Sequence, residues 1–224
     1  MRPFCFICCL ALGFISEPAC AHDFAGSWIT DSEMASQVPR HVASRQLHRD
    51  ELGKPDESLR NRHILFRRAF DLDDVRNARV FITADDYYKL YVNGTFAGQG
   101  PAAGTPDHTY FNEIDVSALL RKGRNVIAVH TYYQGLVNRV WVSGDNRHGL
   151  LLDLVADGQT VVKSDGTFRT ARHGGYSACG ISGYDTQFME CYDAGAAEVG
   201  FECVDFDDTG WPFAVLHPHG GDYS

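Results

Sequence analysis

An antiparallel β-sandwich is the fold class this sequence predicts, on three observations. Residues 84–92 alternate, with Tyr88, Leu90 and Val92 on one face and Tyr87, Lys89 and Tyr91 on the other. That is the period of a strand with one buried face. Asn93-Gly94 follows at once, a pair suited to a two-residue hairpin turn, whose central residues both need positive φ. Short apolar and aromatic runs then recur along the 224 residues with almost no helical period and no internal repeat, the pattern of stacked antiparallel sheets.

Taken in order, residues 1–21 read as a cleaved secretory signal. Arg2 supplies a basic start, residues 4–15 an apolar run too short to span a bilayer, and Ala19-Cys20-Ala21 a small-residue cleavage site. His22 is then the first mature residue. Acylation of Cys20 fits less well, because Glu17 and Pro18 stand where apolar and small residues belong. Residues 22–61 form an opening segment, with a short strand at Trp28-Ile29 and a polar loop over 37–61. Residues 62–216 form one sandwich domain. Within it, 63–72 alternates Ile64, Phe66, Arg68 and Phe70 against Leu65, Arg67 and Ala69 as a strand, and 73–77 turns. The Gly- and Pro-dense stretch 98–110 is a loop. A short helical turn over 113–123 is capped by Asp115 or Ser117 and stopped by Gly123. Residues 125–133 are a buried strand by their β-branched and aromatic content, and Asp157-Gly158 joins 150–156 to 160–163 as a hairpin. Residues 174–193 read as irregular, 207–215 as a turn and short strand headed by Trp211, and 217–224 as a tail or the start of a following domain.

Twenty Lys and Arg against 29 Asp and Glu give a net charge of −9. With no basic stripe to neutralise phosphates, nucleic acid is excluded as a partner. No segment after the signal is apolar and long enough to cross a membrane, so the expected location is secreted or periplasmic. Of seven cysteines, Cys179, Cys191 and Cys203 lie outside the signal. They allow one bridge in the C-terminal third or none. Zinc is not expected without a CxxC pair or suitably spaced histidines.

The runs ADDYYKLYVNG, NEIDVSALLRKGRNVIAVHTYYQG, NRVWVSGD, GYDTQFMECYD and DDTGWP together resemble the N-terminal domain of bacterial α-L-rhamnosidases, over about residues 62–216. The resemblance implies a jelly-roll β-sandwich of the galactose-binding-like type and a non-catalytic, carbohydrate-recognition or accessory role. That family cuts its glycosidic bond in an (α/α) helical barrel that follows several β-domains, and nothing here has the helical period for such a barrel. The chain then reads as a truncated or stand-alone accessory domain. Its implied partners are rhamnose-containing or related glycans and a glycosidase catalytic domain. Some related modules bind rhamnose through calcium. The rival readings are a purely structural domain packed on the barrel, and a glycosidase in its own right.

Sugar recognition needs aromatic faces and planar polar groups. Tyr132, Tyr133, Gln134, Asn138, Arg139 and Trp141 offer both within ten residues, Arg139 being able to hold a carboxylate with two hydrogen bonds. Core packing of the tyrosines and Trp141 is the plainer role. Asp185 and Gln187 share one face if extended and join the sugar-binding candidates, while Asp185 and Glu190 are the candidate ligands for calcium, the one cofactor considered. Anchoring of loop backbone groups is the simpler role for these residues and Asp193. Adjacent on a strand, Asp85 and Asp86 point to opposite faces and cannot act as an acid/base pair; they read as a solvated rim. His217 and His219 read as an exposed tail. No nucleophile elbow, HExxH, P-loop or dinucleotide-binding glycine pattern is present, so no catalytic residue is assigned.

Overall fold

The computed structural model describes residues 22–38, 57–104, 109–136, 143–182 and 187–217. In chain order the strands are β1 (Ile29–Thr30), β2 (Arg62–Leu72), β3 (Ala78–Asp85), β4 (Tyr87–Val92), β5 (Thr95–Gly100), β6 (Asn112–Asp115) and β7 (Gly123–Tyr133). There follow β8 (Gly149–Ala156), β9 (Gln159–Lys163), β10 (Arg169–Arg172), β11 (Tyr176–Ser182), β12 (Gln187–Tyr192) and β13 (Val215–Leu216). Two antiparallel sheets make the jelly-roll sandwich. One is six-stranded, β13-β1-β8-β3-β6 with β9 on β8, and the other five-stranded, β10-β2-β7-β4-β5. A separate two-stranded sheet, β11-β12, stands beside them. The expected signal segment and most of the polar loop lie outside the described residues.

The turn chemistry is as the sequence predicts. Asn93 and Gly94 have φ of 51° and 85°, and Asp157 and Gly158 have 47° and 80°, the paired positive values that a two-residue hairpin requires. Asn93 also donates from its side chain to Leu119 O and Asn125 Oδ1, so the turn is tied to the strand beside it. In β4 every second residue is buried, and Tyr88, Leu90 and Val92 meet Val80, Ile82, Leu152 and Leu154 of the facing sheet in the core. The short helical turn, expected to be capped by Asp115 or Ser117, spans Ser117–Leu119 with Val116 at its N-cap and no side-chain cap; Asp115 accepts from Ser117 N at 2.9 Å just ahead of it.

The five-stranded sheet is covered on its outer face as well. Arg67 on β2 is 1% exposed. It donates to Phe201 O at 2.9 Å and Cys203 O at 2.6 Å, pairs with the Asp208 carboxylate, and lies under the Phe206 ring. Leu65, Ala128 and Phe201 form a second small core there, with Tyr91, Phe206 and Trp211 packed against it. The C-terminal segment thus roofs one end of this face and leaves the other end open. His217, expected in an exposed tail, is instead 7% exposed, and its N–H donates to Trp28 O at 2.8 Å. It is drawn in by the same short pairing that adds β13 to β1.

His148 ties the two sheets together inside the core. Its Nδ1 bonds Thr30 Oγ1 at 2.9 Å and its Nε2 bonds Thr131 Oγ1 at 2.8 Å. Burial foremost, then the charges of Arg62 and His217, pushes its pKa down to about 3. An unfolded imidazole titrates near ~6.5. Between these values only the unfolded chain takes up the proton, so the His148 contribution is complete above about pH 6.5 and drains away as pH falls toward 3. His148→Gln is therefore expected to lower Tm at pH 7 and to flatten the fall in Tm between pH 6.5 and 4. A thermal-melt series with an unchanged slope would count against this role.

Candidate functional site

The open end of the outer face is a cleft with a cavity volume of about 640 Å³, within the ~300–1,000 Å³ usual for small-molecule sites. Its floor is built by cross-strand neighbours. Tyr87 of β4 and His63 of β2 both lie opposite Tyr132 of β7, and strand alternation sends all three to the outer face. The rings stand in a row. Tyr87 and Tyr132 are 6.3 Å apart at 18°, Tyr132 and His63 are 4.5 Å apart at 21°, and Tyr176 of β11 continues the row 4.2 Å from His63 at 13°. Ring faces inside the row are covered by one another, so a ligand meets edges and hydroxyls along it and a broad ring face at Tyr87, which is 36% exposed.

The β11-β12 hairpin supplies one wall with Tyr176, Gln187, Phe188 and Glu190. Gln99, Gly100, Pro101 and Ala102 line the other side, and Asn61 and Gln134 also border the cleft. Residues 176–192 read as irregular from sequence, but here they pair in antiparallel register, with a shift between Ala178 and Ile181. Cys179 and Cys191 bridge the two strands with Cα atoms 5.8 Å apart, and Cys203 is free. The strands are mostly exposed, so the bridge substitutes for a core. Closing this short loop is worth roughly 3 kcal/mol. Under reductant, amide exchange is expected to accelerate in β11 and β12 while β2 and β7 stay protected. Unchanged exchange in the hairpin would mean the wall is held without its disulfide.

Beside the row on the same face, His63 Nδ1 and His130 Nε2 are 2.9 Å apart, and the His173 ring lies 5.1 Å from that of His130. Burial, the charges of His173, Lys89 and Arg172 pushing the same way, takes the His63 pKa down to about 3. His130 is held well below the usual histidine range by burial, His63, His173 and Lys89. Both imidazoles are neutral at neutral pH, each offering one donor and one acceptor.

Next to the cleft lies a cluster that the sequence reading placed on a solvated rim. Asp86 is 4% exposed; it accepts from Gln134 N at 2.7 Å and from Ser143 Oγ. Its pKa is pushed up to about 6, chiefly by burial. Asp85 hydrogen-bonds to Asp86, and burial with the Asp145 and Asp86 charges holds its carboxyl well above the usual range. The two carboxyls do meet, because β3 ends at Asp85 and the alternation that would separate them stops there. Asp145 in turn pairs with Arg147 at 2.7 Å. The cluster clamps residues 134–136 to 143–147, the two flanks of 137–142.

Of the sequence-predicted sugar-binding residues, the cleft brings together Tyr132, Gln134 and Gln187, with Glu190 beside them. Tyr133 does not join them: it is 1% exposed, in the core, and its Oη accepts from Asn146 N at 3.0 Å. Its neighbour Tyr132 faces outward, so strand alternation turns Tyr133 inward. Asn138, Arg139, Trp141 and Asp185 lie outside the described residues. Asp193 is a loop anchor, its carboxylate accepting from Gly195 N at 2.8 Å. Among the described residues no group of three or more His, Cys, Asp or Glu is placed to hold a metal, so calcium has no described ligand set. Sequence reasoning missed His63, His130 and Tyr176, which only the strand register and the hairpin bring to the cleft.

Residues 73–220 match the family described as alpha-L-rhamnosidase N-terminal domain. Among solved structures, the GH78 family rhamnosidase of Bacillus sp. GL1 is 30% identical with a TM-score of 0.68, over 88% of this chain and 18% of that one. The α-L-rhamnosidase of Aspergillus terreus is 25% identical with a TM-score of 0.60, over 86% of this chain and 21% of that one. A lectin from Pleurotus ostreatus, solved in complex with GalNAc, shares the fold at 16% identity and a TM-score of 0.51, over 86% of this chain and 43% of that one. This chain therefore spans about a fifth of the length of these rhamnosidases. No curated protein matches it.

Proposed function

Because the chain belongs to the α-L-rhamnosidase N-terminal domain family, we propose that it is the carbohydrate-recognition domain of an exported α-L-rhamnosidase-like glycoside hydrolase. The glycan sits in the cleft, and a separate catalytic domain cuts the bond. The observation that carries this reading is the aromatic row of Tyr87, Tyr132, His63 and Tyr176 facing the amides of Gln134 and Gln187 and the carboxylate of Glu190. Aromatic surface with a few convergent polar groups is what a sugar site needs. The Pleurotus lectin, of the same fold, was solved with GalNAc, which supports a sugar as the ligand class. Export is supported by the Cys179–Cys191 bridge, since disulfides persist in oxidising compartments.

Calorimetric titration with L-rhamnose and a rhamnosyl oligosaccharide, with and without calcium, tests the reading beside an assay on an aryl α-L-rhamnoside. Saturable binding without turnover is expected, weakened in Gln187→Ala at unchanged Tm. A requirement for calcium would bear on Asp185 and Glu190 as ligands. Turnover lost in Glu190→Gln would make the chain an enzyme, and absence of both binding and turnover would leave it a scaffold.

A further inference from the structure

The charges in the cleft are segregated. Lys89 is exposed on β4 and lines the cleft, opposite His130 on β7 and Gln99 on β5. Its charge weighs on His63, His130 and His173 alike, and Arg172 adds to it at His63. From the hairpin, the Tyr176 and Tyr192 rings pack on these imidazoles. Burial raises the Tyr132, Tyr176 and Tyr87 hydroxyls, with Glu190 of the same hairpin adding to it at Tyr132 and Tyr176 and Asp86 at Tyr87 and Tyr132. In a chain of net charge −9, the cleft floor is thus lined by Lys89 and the His63 and His130 imidazoles, with Glu190 across from them on the hairpin wall.

We infer that the glycan taken by this cleft carries an acidic sugar, a uronic acid whose carboxylate seats at Lys89 against the His63–His130 pair. This deepens the reading of the cleft as a glycan site and rests on it. A carboxylate there neutralises Lys89 and favours the protonated imidazole, so the histidine pKa values rise toward the ordinary range on binding. The bound state then holds more protons than the free state below about pH 6.5, and affinity for an acidic glycan climbs as pH falls. A neutral sugar lacks this coupling.

Affinity electrophoresis of the full chain tests the inference. The gels hold uronate-containing plant and bacterial polysaccharides, or the same polysaccharides with their carboxyls reduced to primary alcohols, at pH 5 and pH 7.5. The acidic set is expected to retard the protein more at pH 5, and to lose about tenfold in affinity on carboxyl reduction and again in Lys89→Met, the scale of one charge-assisted hydrogen bond. Equal retardation by the reduced set, or acidic binding indifferent to Lys89→Met, overturns the acidic-sugar inference and leaves the cleft as a neutral-sugar site. No retardation by either set overturns the cleft reading together with it.

Discussion

Arg67→Ala is expected to destabilise the chain by about 3–5 kcal/mol, the cost of removing one partner from a buried ion pair. The side chain is 1% exposed and serves three backbone carbonyls, Phe201 O, Cys203 O and Val204 O, besides the Asp208 carboxylate. Truncation strips the donors from four acceptors at once and opens a gap beneath Phe206, whose ring lies 5.5 Å from the guanidinium carbon. Acceptors left buried and unsatisfied carry their full desolvation cost. Lysine is no substitute, because a single ammonium cannot reproduce the planar fork. Urea unfolding gives the loss, and amide exchange locates it: protection should fall across residues 201–208 while β3 and β8 keep theirs. A loss below about 1 kcal/mol, the scale of an exposed pair, would mean the segment is held by its aromatic contacts alone.

Tyr132→Ala is expected to weaken glycan binding about thirtyfold, the ~2 kcal/mol of an interface hot spot, with little change in Tm. Tyr132 is the middle ring of the row, with Tyr87 on one side and His63 on the other. Its removal takes away a contact surface and the support that keeps both neighbours upright. The core lies on the opposite face of β7, at Ile127, Val129 and Tyr133, and is untouched. Tyr132→Phe separates the two contributions: it keeps the row and removes the hydroxyl, so retained binding assigns the effect to the ring. Calorimetry on the two variants measures it. Undiminished binding in Tyr132→Ala would place the ligand elsewhere.

Much of the sandwich was legible because its signals are local. Alternation through Tyr88, Leu90 and Val92 and the turn pairs Asn93-Gly94 and Asp157-Gly158 need no knowledge of distant partners, and each appears where the sequence predicts it. The hairpin β11-β12 was not legible. Its strands are exposed on both faces, so no hydrophobic period marks them, and its order rests on a bridge that three cysteines left open. Arg67 sits at an outward position of an alternating strand and is buried only because the segment around Phe201, far along the chain, folds over it. The site divides the same way. Tyr132 and Gln134 were visible as aromatic and polar residues at a strand end, Gln187 and Glu190 as polar residues of a stretch read as irregular, and all four line the cleft. His63 and His130 became part of the site only through the β2-β7 register, which composition does not encode.

The most direct test of the central claim is a heteronuclear NMR titration of the chain with the rhamnosyl or uronate-bearing oligosaccharide that binds it. Shift changes concentrated at His63, Tyr87, Lys89, Tyr132, Tyr176 and Gln187 would place the glycan on the open end of the five-stranded sheet. Changes confined to the opposite sheet, or to the roofed end around Phe201 and Trp211, would contradict it.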